Sequence, residues 1–77
     1  MNRQRREAIT ELKERLEDIE DELTEIMSEE EEALQNIPES LQSSERYEIM
    51  EEAFSNLENA AFSLEETINY LSDIAEG

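Results

Sequence analysis

The sequence predicts an all-α protein: an antiparallel two-helix hairpin of coiled-coil type, expected to pair into a four-helix bundle. Three observations predict it. Apolar residues recur at alternating spacings of three and four over two long segments, the period of a helix that buries one stripe. A single proline, Pro38, separates those segments. The 77 residues include one glycine and no cysteine, so long regular helices, rather than loops or disulfides, must hold a chain of this size.

The first helix is expected over about residues 3–36. Its stripe runs Ile9, Leu12, Leu16, Ile19, Leu23, Ile26. Continued at the same spacing it passes through Glu30, Ala33 and Ile37. An alternative register slips through Met27 and Leu34, a stutter, and also passes Glu30. The run Glu29 to Glu32 occupies every side of the helix, because successive residues turn by roughly 100°. One of the four must face inward, and both registers name Glu30.

Ile37-Pro38 stops the helix, since the residue before proline disfavours the α region. The turn is expected over about 37–43, with "PESLQ" as a single helical turn. Ser43 or Ser44 is the expected N-cap of the second helix, with Glu45 favourably placed in its first turn. That helix, about 44–75, carries the stripe Met50, Phe54, Leu57, Ala61, Leu64, Ile68, Leu71, Ala75. Ala53, Ala60 and Ile74 flank it, with Phe62 and Tyr70 further round. A stripe this wide implies more than one neighbour, hence a homodimer. The alternatives are a monomer in which Phe62 and Tyr70 wrap over the seam, or a partner-binding patch formed by those two aromatics. The chain reads as a single domain, 1–77.

Charge narrows the partner. There are 23 acidic and 6 basic residues, a net −17. Residues 1–15 hold five bases against three acids, net +2, whereas residues 16–77 hold twenty acids and only Arg46, net −19. A direct nucleic-acid ligand or an anionic membrane calls for a basic footprint, the opposite of this balance. The electrostatic complement is a protein with a basic surface. No apolar run reaches membrane-span length, and no signal-peptide core follows the leading arginines, so a cytoplasmic location is expected. Arg3, Arg5 and Arg6 sit where the helix dipole disfavours cations, and Asp73 and Glu76 at the other chain end are the expected neutralising partners. Arg46 is expected to reach Glu30 or Glu31, with the hairpin splayed there so that the glutamates stay wet.

The chain contains neither His nor Cys, which excludes thiolate and imidazole zinc sites and His-based acid–base or nucleophilic catalysis. Di-iron bundles need Glu-x-x-His pairs, and calcium loops need spaced Asp or Asn around a glycine. Paired carboxylates alone lack the water-excluding pocket that glycoside or metal chemistry requires. The expectation is no enzyme activity, no cofactor and no metal site beyond nonspecific divalent-ion condensation.

The segment "EDIEDELTEIMSEEEE", residues 17–32, holds ten acids and no base: Glu17, Asp18, Glu20, Asp21, Glu22, Glu25 and Glu29, Glu30, Glu31, Glu32. That is one charge per ~2.4 Å of helix at ~1.5 Å rise per residue, close to the one per roughly 1.7 Å of duplex DNA. Eight of the acidic pairs in it stand three or four residues apart, and their repulsion sums to about 2–4 kcal/mol before screening. One reading is a solvated helical face. The other is a phosphate-like array that occupies the basic surface of a nucleic-acid-binding protein.

The stretch "NIPESLQSSERYEIMEEAFSNLENAAFSLEETINYL" resembles small acidic helical-hairpin proteins of bacterial phages and mobile elements. The likeness lies in the charged first helix, the turn pattern Asn36, Pro38, Glu39, Gln42, Ser44, Glu45, Arg46, and a final Leu/Ala-rich helix. It implies no site residues. It does imply a context in which small phage-encoded acidic proteins inhibit host defence by mimicking DNA, within the cytoplasm of the bacterial host.

Overall fold

A computed structural model describes Met1–Gly77. Two α-helices, α1 (Arg3–Gln35) and α2 (Glu45–Glu76), pack side by side and are joined by a short turn containing a 3₁₀ segment, Glu39–Leu41. The hairpin is a rod of 59 × 15 × 13 Å. Its length matches helices of 33 and 32 residues, about 50 Å each at ~1.5 Å per residue. The predicted all-α hairpin is therefore the observed fold, with helix boundaries within one residue of expectation.

Local chemistry sets each boundary. Asn2 caps α1, its Oδ1 accepting from the Arg5 N–H at 2.8 Å, and so serves one of the orphan amides of the first turn. At the other end the Asn36 N–H donates to the Glu32 carbonyl at 3.1 Å, and the chain leaves the helix before Pro38. No residue of the turn takes a positive φ, so the reversal needs no glycine. The Leu41 N–H donates to the Pro38 carbonyl at 2.9 Å, which closes the 3₁₀ turn. Ser44 caps α2: its Oγ accepts from the Tyr47 N–H at 3.2 Å. Glu45 and Glu48 lie in that first turn, where the helix dipole favours acid.

On α2 the seam is the predicted one. Met50, Phe54, Leu57, Ala61, Leu64, Leu71 and Ala75 are half-buried and Ile68 is buried at 7 % exposure, the one buried residue of the chain. On α1 the seam differs from the first register. Ile9, Leu16 and Leu23 face inward, together with Arg6, Lys13, Glu20, Met27 and Leu34. The alternate members of the predicted stripe, Leu12, Ile19 and Ile26, are 46, 49 and 53 % exposed. The cause is geometric: one partner helix covers only one side of α1. The stuttered line through Met27 and Leu34 governs the tip, and the same rotation persists to the stem. There the aliphatic stems of Arg6 and Lys13 cover the seam in place of Leu12.

Two expected ion pairs do not form. Arg46 pairs with neither Glu30 nor Glu31, and the leading arginines do not meet Asp73 or Glu76. All three salt bridges lie within α1 at a spacing of four: Arg3–Glu7 at 3.1 Å, Lys13–Glu17 at 3.8 Å and Arg15–Glu11 at 3.2 Å. Side chains four apart on a helix meet without any tertiary ordering, whereas a bridge between helices must immobilise two long chains for little return in water. Apolar contact, not ion pairing, joins the helices.

Candidate acidic groove

The ten-acid segment does not form one file. It wraps α1, leaving bare only the line of Ile19, Ile26 and Ala33. Glu17, Asp18, Asp21, Glu22, Glu25, Glu29, Glu31 and Glu32 are exposed, and Glu20 and Glu30 are half-buried. Glu30 is thus the inward member of the glutamate run, as both registers require, but it is not sealed from water. No ion pair or side-chain hydrogen bond holds it.

The structure adds carboxylates that the acid run alone does not reveal. Glu20 and Asp21 of α1 and Glu58 and Glu65 of α2 line one groove between the helices, about 480 Å³, with Met27 and Phe62 in its walls. Four acids therefore converge from two helices on an apolar floor. Phe62 stands 63 % exposed here, so it does not wrap over the seam as a monomer lid. Its ring lies beside carboxylates that attract cations, and an aromatic face attracts them too. A legible signal for the second pair existed: Glu51, Glu58 and Glu65 recur every seven residues, one line on α2.

Tyr70 is 71 % exposed and takes no part in the groove. It lies on the opposite flank of α2, because residues 62 and 70 fall on different sides of the seam line. Phe62 and Tyr70 are therefore not one patch.

The other flank of the hairpin is apolar. Across the seam from Glu20 and Met27 runs the exposed line Leu12, Ile19, Ile26, Ala33. Across the α2 seam from Glu58 and Glu65 runs Ala53, Ala60, Thr67, Ile74. At the turn this flank ends in a second hollow of about 460 Å³, lined by Ala33, Ile37, Pro38, Leu41, Tyr47 and Met50, with Asn36, Ser44 and Arg46 as its polar members. The rod thus has an acidic side and an apolar side.

No grouping of three or more Asp and Glu is arranged to hold a metal ion. No helix is long and apolar enough to cross a membrane. Compared with known proteins, the chain matches no protein-family model, no curated protein and no solved structure.

Proposed function

We propose that the chain is a non-enzymatic, acidic protein-interaction module whose carboxylate array and groove receive the basic surface of another protein. The observation that carries this reading is the convergence of Glu20, Asp21, Glu58 and Glu65 around the exposed Phe62. Such a groove suits a Lys or Arg side chain: carboxylates take the charged head, and Phe62 and Met27 take the aliphatic stem. The surrounding acids, at a linear density near that of duplex DNA, extend the same complement along α1. In its sharpest form the module is a phage-type DNA mimic acting in the bacterial cytoplasm on a nucleic-acid-binding host protein.

The test is capture from host lysate by the tagged full chain at low and high salt, with and without competing duplex DNA. A nucleic-acid-binding protein that is captured at low salt, released at high salt and displaced by DNA supports the proposal. Glu58→Lys/Glu65→Lys should weaken that capture about tenfold or more, since it reverses two charges in the groove. Capture that survives high salt and this double substitution would sink it.

A second reading is favoured by a separate observation, the open apolar flank. On it the hairpin is an assembly or adaptor module that acts through self-association as a homodimer, with the acids as solvated surface.

A further inference from the structure

Size and charge along the open flank indicate what covers it: we infer that a second copy of this chain lies there antiparallel, stem against tip. This rests on the self-association reading and adds to it the face, the direction and the register.

Glu20 and Met27 of α1 share one groove with Glu58 and Glu65 of α2, and an antiparallel register centred on that groove makes four rungs on the apolar flank. They are Leu12 with Ile74, Ile19 with Thr67, Ile26 with Ala60, and Ala33 with Ala53. The rungs taper from two large side chains at the stem to two small ones at the tip. Beside the small rung opens the hollow of about 460 Å³. A copy turned end for end lays its Leu12–Ile74 rung on the Ala33–Ala53 rung and hollow, and sets Ile19 against Ile26. Large then meets small at both ends of the interface, as dense packing requires, while Ile19 meets Ile26 and Thr67 meets Ala60 in the middle. A copy laid tip to tip would face small rungs across a void and crowd the large ones. Thr67 does not spoil the surface, because its hydroxyl already donates to the Ser63 carbonyl at 2.9 Å.

Charge selects the same direction. Residues 1–15 carry net +2, and the run Glu29 to Glu32 lies at the other end of α1. Antiparallel pairing sets Arg15 of one copy beside Glu29 of the second, at both ends of the interface. Tip-to-tip pairing would instead gather both Glu29 to Glu32 runs, eight glutamates, at one end of the pair. The one unfavourable meeting is Glu22 with its own counterpart near the two-fold axis, which passes between Ile19 and Ile26. The acidic groove, on the opposite flank, stays open in the pair.

Sedimentation equilibrium of the full chain measures association, and cross-linking in this cysteine-free sequence measures direction. The expected mass is twice the 9.0 kDa chain. Glu22→Cys should oxidise to a disulfide-linked dimer. Leu12→Cys alone should not, because its two copies would stand about 30 Å apart, against the ~7 Å that a disulfide tolerates. Mixed with Ala33→Cys, Leu12→Cys should give a linked heterodimer. Ile26→Asp should weaken association at least 100-fold, whereas Phe62→Ala, on the other flank, should change it less than threefold. A monomer at every concentration overturns both the inference and the self-association reading. A dimer in which Leu12→Cys links to Ile74→Cys on mixing, and Glu22→Cys does not link to itself, overturns the direction alone.

Discussion

Glu30 shows how much one position can disclose. Its inward placement was legible because two registers of the apolar pattern, differing elsewhere, agree on it. What it pairs with was not legible. An arginine spans enough distance to suggest Arg46 as partner, but nothing in the pattern orders that side chain, and the structure leaves the carboxylate half-buried with no hydrogen bond or ion pair. A leucine there would bury part of its surface in line with Leu23 and Ile37, so Glu30→Leu is expected to stabilise the hairpin by about 1 kcal/mol, half the value of full burial. Thermal unfolding by circular dichroism checks this; a fall in melting temperature would mean that the site is wet because the backbone holds it open. Arg6 is the counterpart at the stem. Its Nε is buried with no hydrogen-bond partner, a state that costs about 1–3 kcal/mol. Arg6→Met keeps the aliphatic stem and removes the unpaired donor, and is expected to raise the melting temperature.

At the level of the helices, position and length were legible while rotation was not. Pro38 and the serine pair fixed where α1 stops and α2 starts. Ser44→Ala removes both the bond from the Tyr47 amide and the 2.7 Å bond to the Leu41 carbonyl. It is expected to destabilise the hairpin by about 1 kcal/mol, with helicity lost first from α2, as amide exchange along residues 45–50 would report. The rotation of α1 escaped the sequence because its apolar residues lie on two overlapping lines, one through Leu12, Ile19 and Ile26, the other through Met27 and Leu34. Which line meets α2 depends on how many helices surround α1, and a single chain does not contain that number. The groove was half legible for a similar reason: the acid run on α1 is conspicuous, but Glu58 and Glu65 join it only through the hairpin register.

For the whole molecule the dominant quantities are its charge and its thinness. A net −17 on a rod with one buried residue sets self-repulsion against a small apolar gain. Raising sodium chloride from about 20 mM to 0.5 M is therefore expected to increase the melting temperature, since screening relieves the acidic pairs of residues 17–32; an unchanged or falling temperature would show that those repulsions are already relaxed. Charge reversal tests the proposed pairing at the same scale. Arg15→Glu is expected to weaken dimerisation roughly tenfold by placing like charges at both ends of the interface, and adding Glu29→Arg should restore it, a rescue that only the antiparallel register explains. The separation of charge along the rod has one more consequence. A lone hairpin, with its less negative end at the stem, has its charge displaced along its long axis, so a field applies a torque to it and it approaches a charged surface in a preferred attitude, turn first toward a positive one. The two-fold pair cancels that axial moment. Transient birefringence in a pulsed field would see the difference as permanent-dipole alignment in the single hairpin and induced-dipole alignment in the pair, and a partner meeting the pair would find both of its ends alike.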